Sequence, residues 1–229
     1  MAVEPLLLKQ FDLFKLLPNN VIAQLGQFSQ LVEAPKRKVV MEKNQLAHSL
    51  GLLLDGRLQG VDMTLDGREA GLYFVEPNDF FGELAVIDQL PTHETVIALL
   101  PSRFVIVPAK IILQLVNEVP QVAAIINARL ARRLREALVQ RTLLSMSSPL
   151  QRVCAQLIQL TIQTPSGEQS IAFAPTHQEI AIMINVTRET VTRVFQKLQN
   201  NGVIIRQGNS LQVLNIQHLN LIASGEQTE

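Results

Sequence analysis

The chain contains no tryptophan, one tyrosine and one cysteine in its 229 residues. A single thiol cannot close an intrachain disulfide, fits a reducing compartment, and falls short of the four cysteines that usually hold an iron–sulfur cluster. Cys154, flanked by Val153 and Leu157 in an apolar helical stretch, reads as a buried, inert thiol. Charge of one sign is equally absent: 20 basic residues face 20 acidic ones, and from Ser148 to Glu229 the balance is five to five. No broad basic footprint exists, so any binding to nucleic acid must rest on specific contacts rather than general attraction. No apolar run approaches the roughly 20 residues of a membrane span. The opening segment MAVEPLLLKQFDLFKLL is interrupted by Glu4, Lys9, Asp12 and Lys15, so it does not read as a signal peptide. The four histidines and Cys154 lack metal-ligand spacing, and neither a nucleophile elbow nor a Walker-type phosphate loop is present. These absences describe a cytoplasmic protein with no membrane partner, no metal and no enzymatic site.

What is present concentrates in Thr176 to Arg206, THQEIAIMINVTRETVTRVFQKLQNNGVIIR. Thr176-His177-Gln178-Glu179 has the capping-box spacing, in which a threonine hydroxyl and a glutamate three residues on satisfy each other's backbone N–H. Ile180, Ala181 and Ile184 follow at helical spacing. Asn185 suits the left-handed residue of a sharp turn, and Thr187 can cap a second helix. In that helix Val191, Val194, Phe195 and Leu198 form the buried stripe, while Arg188, Glu189 and Arg193 fall outside it. Val203 to Val213, with Gly208-Asn209 near the middle, reads as a hairpin wing. In a helix-turn-helix the start of the second helix lies in the major groove, where Arg pairs bidentately with guanine and Glu accepts from cytosine. Arg188, Glu189 and Arg193 are therefore the candidate base readers. Thr176, Gln178, Thr187 and Thr190 occupy helix starts, where hydroxyls, amides and backbone N–H groups meet phosphate. The expected partner is double-stranded DNA.

Upstream, Leu13-Phe14 and Val21 to Leu25 read as short helices. From Leu31 to Pro108 short apolar runs alternate with turn signals: Val39 to Met41, Leu52 to Leu54, Gly71 to Val75, Val96 to Leu100 and Phe104 to Val107, separated by Asp55-Gly56, Asp66-Gly67 and Glu76 to Asp79. That texture predicts a β-sandwich or jelly roll. Lys110 to Val116 reads as helix, and a longer helix covers about Pro120 to Leu144. In it Ala123, Ile126, Leu130, Leu134 and Ala137 approximate a coiled-coil seam; packing into a core is the competing reading. Arg129, Arg132, Arg133, Arg135 and Arg141 read mostly as solvated flanks of this helix. Ser147-Ser148-Pro149 marks a boundary, with Ser148 as N-cap and Pro149 at N1 of a helix reaching about Ile162. Pro165-Ser166-Gly167 is then a loop, and Ile171-Ala172-Phe173 a strand.

The whole layout resembles the cyclic-AMP receptor protein/Fnr (Crp/Fnr) superfamily of bacterial regulators. The resemblance rests on LLLDG at Leu52 to Gly56, DFFGELAVID at Asp79 to Asp88, the long helix, and TRETVTRVFQKL at Thr187 to Leu198. It implies an α+β chain: a double-stranded β-helix jelly roll of the cyclic-nucleotide-binding type over 1–118, a dimerisation helix over 119–146, and a winged helix-turn-helix over 147–229. It further implies a homodimer reading an inverted TGTGA-like repeat, and contact with RNA polymerase through 163–170. The effector pocket it implies comprises Gly82, Glu83, Leu84 and Ala85 from the phosphate cassette, His93 and Glu94 where the family carries an Arg-Ser or Arg-Thr pair, and Ala137 and Leu138 where its adenine-contacting hydroxyls stand. Loss of the phosphate-neutralising Arg argues against a cyclic nucleotide, and Glu94 would repel the phosphate. The expectation is a regulator with another effector or none. The alternatives are a cyclic-nucleotide-dependent regulator and a ligand sensor acting through a protein partner.

Overall fold

The computed structural model describes residues 3–46, 48–63, 69–165 and 167–226. They form two compact units, Met1–Arg135 and Glu136–Glu229. The expected Asp66-Gly67 turn and Ser166 lie outside the described residues.

The first unit opens with helices α1 (Pro5–Leu8) and α2 (Asn19–Phe28). Strands β1 (Gln30–Ala34), β2 (Val39–Met41), β3 (Ser49–Asp55), β4 (Leu58–Met63), β5 (Glu69–Val75) and β6 (Phe80–Phe81) follow. Helix α3 (Glu83–Asp88) and strands β7 (Thr95–Ala98) and β8 (Ser102–Pro108) complete the roll, leading to α4 (Ala109–Glu118) and the long α5 (Pro120–Ser145). Two antiparallel sheets, ordered β1-β8-β3-β6 and β2-β7-β4-β5, make the jelly roll. Leu53, Leu58, Tyr73, Phe81, Val96 and Phe104 fill one apolar cluster. The opposite faces of β3 and β8 carry Leu50, Leu52, Val105 and Val107, which pack with Leu8, Phe14, Ile22, Ile112 and Ile126 from the helices. Both strands are thus buried on both sides, and this is why they read as continuous apolar runs rather than alternating ones. Gly51 leaves room on β3 for the Phe81 ring, which meets Phe104 edge-on at 5.6 Å.

Several expectations need correcting. Leu13-Phe14 is not helical. Phe11, Phe14 and Leu17 stand in successive three-residue turns, with Phe14 N–H donating to Phe11 at 2.9 Å and Leu17 N–H to Phe14 at 3.0 Å, and Pro18 forbids continuation. The seam reading fails at Ile126, which is 1 % exposed and belongs to the core beside Val122, with Leu130 partly buried there too. Leu134 and Leu138 are the most exposed of the large apolar residues of α5, at 62 % and 54 %, with Val139 and Leu144 exposed as well. Arg129 and Arg133 are not solvated flanks; Arg129 is buried and Arg133 mostly so, each in an ion pair.

The second unit contains α6 (Pro149–Leu160), β9 (Ile162–Gln163), β10 (Gln169–Ile171), α7 (His177–Ile184), α8 (Arg188–Asn200), β11 (Ile204–Gln207), β12 (Ser210–Val213) and α9 (Ile216–Ser224). The sheet order β11-β12-β10-β9 joins the wing to the hairpin that follows α6. Helix α6 stops at Leu160, and Ile162 is strand; Ala172 and Phe173 form a turn after β10 rather than extending it. Ser148 has the extended backbone of an N-cap but no side-chain cap bond; instead Arg152 Nε donates to the Met146 carbonyl at 2.7 Å. The end of α5 is held here by Leu143, 2 % exposed, and by the Gln140 side-chain amide, which donates to the Met183 carbonyl. Cys154 is fully buried, and burial pushes its thiol up to about 12, as expected of an inert cysteine.

Phe104 closes the apolar interior of the roll. Phe104→Ala should cost about 3–5 kcal/mol, read as a lower urea midpoint for the N-terminal unit.

Candidate nucleic-acid interface and effector chamber

Helix α7 begins with a complete capping box. Thr176 Oγ1 accepts from Glu179 N–H at 3.2 Å, and Glu179 Oε2 accepts from Thr176 N–H at 2.9 Å. It ends at Asn185, whose φ of 51° and ψ of 57° are left-handed, so the chain reverses within three residues into α8. Thr187 caps α8 by accepting from Thr190 N–H at 3.2 Å, and the two hydroxyls lie 3.0 Å apart. Val191, Val194, Phe195 and Leu198 are buried, which fixes the rotation of α8 about its axis. Arg188, Glu189 and Arg193 consequently face outward, all exposed. Glu189 is held below the usual carboxylate range, first by its own backbone N–H, then by the Thr187 hydroxyl, with Arg188 and Arg193 assisting, so it is an ionised acceptor. Arg193 Nη2 reaches Thr190 Oγ1 at 3.4 Å.

Beside these residues is a cavity of about 270 Å³ lined by Thr176, His177, Gln178, Arg188 and Arg206. Two arginines and the N-terminus of α7 make it electropositive, the environment in which helix starts receive phosphate. His177 and Arg206 were not singled out from the sequence. His177 Nδ1 meets Thr192 Oγ1 at 2.9 Å, and its ring lies 4.6 Å from the Phe195 ring, so it joins the two helices. Burial, then Arg206, then Arg188 lower its pKa. The signal was its position at N1 beside a capping threonine, but a lone histidine at a helix start carries no partner in sequence.

The expected effector residues separate into three groups. Glu83, 1 % exposed at the start of α3, is engaged by the long helix: Arg133 Nε donates to Glu83 Oε1 at 2.9 Å, and Arg129 Nε lies 3.6 Å from the same oxygen. Arg129 also pairs with Asp79 at 2.7 Å, and Arg132 reaches Asp79 at 3.5 Å. Burial raises the Asp79 carboxyl, against the opposing pull of Arg129. Glu94, 3 % exposed, accepts from the Tyr73 hydroxyl at 2.6 Å. The Arg133 guanidinium stacks on the Tyr73 ring, 3.0 Å from its centroid. Burial raises the Tyr73 phenol well above its ordinary value, so it stays protonated and donates. Burial alone would lower Arg133, but Tyr73 and Glu83 raise it instead. His93 is exposed beside this cluster, and Gly82, in a left-handed conformation, lets α3 start directly after β6. Leu84 is exposed while Ala85 is buried. Ala137 and Leu138 are exposed residues of the second unit. Glu83 Oε2 and Arg133 Nη2 are buried with no hydrogen-bond partner among the described residues. No group of three or more His, Cys, Asp or Glu among the described residues could hold a metal ion, and no single helix there is long and apolar enough to cross a membrane.

Residues 151–222 match the Crp-like helix-turn-helix domain, and 31–119 match the cyclic nucleotide-binding domain. A cyclic AMP receptor protein of Thermus thermophilus is 29 % identical over 210 residues, covering 92 % of this chain and 95 % of that one. A CRP-like cAMP-activated global transcriptional regulator of Mycobacterium tuberculosis is 25 % identical over 216 residues, 93 % of this chain and 96 % of that one. The solved structure of FixK2 from Bradyrhizobium japonicum superposes with a TM-score of 0.72 at 20 % identity, over 84 % of this chain and 96 % of that one, a likeness of fold.

Two measurements follow from this geometry. Arg133→Ala takes from the buried Glu83 its nearest guanidinium and should cost about 3–5 kcal/mol, whereas Arg132→Ala, at a half-exposed guanidinium, should cost under about 1 kcal/mol; paired urea titrations separate them. His177, with its folded pKa below the unfolded 6.5, favours the neutral form. Its contribution to stability is complete above pH 6.5 and declines as pH falls from there through the folded value. The melting temperature of the C-terminal unit should therefore drop on acidification from pH 7.5 to pH 5.5 by more in the native protein than in His177→Gln.

Proposed function

We propose that this chain, which belongs to the Crp/Fnr family of transcription regulators, acts as a homodimer that reads an inverted TGTGA-like repeat and does not use cyclic AMP. The observation that carries the reading is the outward presentation of Arg188, Glu189 and Arg193 on the first turns of α8, between two capped helix starts. Arg188 and Arg193 supply bidentate donors for guanine, and Glu189 an ionised acceptor for cytosine N4. Thr176, Gln178, Thr187 and Thr190 contact the backbone on either side and set the register. Arg206 and His177 extend that contact across the electropositive cavity.

In this reading 1–118 is the sensing domain, 119–146 the dimerisation helix and 147–229 the DNA-binding domain. The exposed Leu134 and Leu138, four residues apart on α5, supply the seam between two copies. Two copies place half-site centres roughly 34–36 Å apart, one turn of DNA. The hairpin spanning 163–170 is the surface offered to RNA polymerase. The protein works in the cytoplasm and performs no catalysis.

Two relatives are named for cyclic AMP. Against that effector here stand His93 in place of the cassette arginine and Glu94, whose buried carboxylate would face a phosphate. A sensor acting through a protein partner has no specific support beyond the balanced charge.

Selection from random duplex DNA with ligand-free protein at a stated salt concentration tests the proposal. An inverted TGTGA-like repeat should emerge. Arg188→Ala should then cost about 1–3 kcal/mol on the best site and relax preference at one guanine; an equal loss on every sequence would refute its assignment as a base reader.

A further inference from the structure

The place that the resemblance gives an effector, beside the cassette carboxylate Glu83, is filled by side chains of the chain itself. Tyr73 is on β5 and Glu94 leads into β7, yet β4 runs between those two strands. The ring can cross because β4 carries Gly60 in register with Tyr73; a Cβ on Gly60 would stand 2.5 Å from the ring. Across that gap the phenol donates to Glu94 at 2.6 Å. Arg133 covers the ring and at the same time holds Glu83, the cassette carboxylate that a ligand would have to reach. One guanidinium therefore bridges Glu83 to the Tyr73–Glu94 pair.

Charge makes the same point. Arg129, Arg132 and Arg133 face Asp79, Glu83 and Glu94 in this cluster, three cations to three anions. An entering phosphate would bring a further negative charge to a largely buried cluster in which the three described guanidinium groups already face carboxylates, an expensive arrangement at low dielectric. It would also have to displace an aromatic ring that belongs to the apolar interior.

We propose that Tyr73 and Glu94 are the resident occupants of the effector chamber: a phenol for the body of a ligand and a carboxylate for its anion, supplied by the chain itself. The proposal rests on the regulator reading above and deepens it. The contacts between roll and helix that a diffusible effector would make are already made, through Arg133, in the free protein. The chamber is thereby closed to cyclic nucleotides, and Tyr73, Glu94 and Gly60 are the residues that determine this.

The composition provides a direct probe. Tyr73 is the only tyrosine, so protein labelled with 3-fluorotyrosine gives one fluorine resonance. Cyclic AMP added to about 1 mM, a weak-binding limit, should leave that resonance at its buried position, both in the free protein and on the selected DNA. A saturable shift to the solvent-exposed position would overturn the proposal. In the second arm, the triple variant Tyr73→Ser, His93→Arg and Glu94→Ser empties the chamber and supplies the cassette pair. It should bind cyclic AMP at least about tenfold more tightly than the native chain, and its DNA affinity should become dependent on cyclic AMP by about tenfold or more, each tenfold being about 1.4 kcal/mol. A variant that melts cooperatively but neither binds the nucleotide nor loses ligand-free DNA affinity would also overturn it. If the triple variant does not fold, the fluorine arm decides alone. A native chain that selects no DNA while its resonance stays unmoved by cyclic AMP would refute the regulator reading and leave the internal occupancy standing.

Discussion

The placement of Arg133 organises the N-terminal unit. A guanidinium buried to 10 % exposure needs partners on every side, and it finds a carboxylate in Glu83 and an aromatic face in Tyr73. Those partners come from the start of α3 and from β5, so one side chain of α5 ties the helix to both sheets: Glu83 follows β6 of one, and Tyr73 lies in the other. Arg129, one turn earlier, repeats the arrangement with Asp79 and the Phe80 carbonyl. Removal of a partner would weaken the compensation of a charge held in a medium of low dielectric. The roll, the cassette and the helix are therefore mutually dependent, and the character of the chamber follows from how this network is closed.

The second unit is governed by a different constraint, the rotation of one short helix. α8 carries four apolar residues that must be buried and four charged residues that must not be, Arg188, Glu189, Arg193 and, in its last turn, Lys197. Once Val191, Val194, Phe195 and Leu198 dock, Arg188, Glu189 and Arg193 have nowhere to face but outward. The capping bonds of Thr176, Glu179 and Thr187 place the helix starts, and Asn185 supplies the reversal between them. The surface is small and its net charge low, which suits recognition by a few aimed side chains rather than by a broad electrostatic field.

This helix-turn-helix was almost wholly legible in the sequence, because each of its parts is a local signal with a local cause. A capping box spans four residues, a turn three, an amphipathic stripe eight. The jelly roll was legible as a texture, although β1, β4 and the two-residue β6 were not: β4 carries Gln59, which is polar yet only 2 % exposed, and this breaks the apolar pattern. α9 was missed as well, and the turns at Phe11 to Leu17 imitated helix because their apolar residues also recur every three positions. The chamber was legible only as a departure from a motif. Glu94 stood out as a residue that did not belong, but its partner Tyr73 is 21 positions away and no pattern in the sequence joins them.

By itself the sequence determined which segments cap, turn and bury a face, since these depend on residues within one or two helical turns of each other. It also showed His93 where the resembling cassette carries an arginine. Tertiary structure alone decided what takes the place of that chemistry. Arginines spaced along a helix look like solvated charge until a sheet is folded over them, and a tyrosine in a strand has no evident target until a glycine on the neighbouring strand lets its ring across. Charge pairing and steric access are properties of distances in space, and between β5, β7 and α5 those distances exist only after the chain has folded.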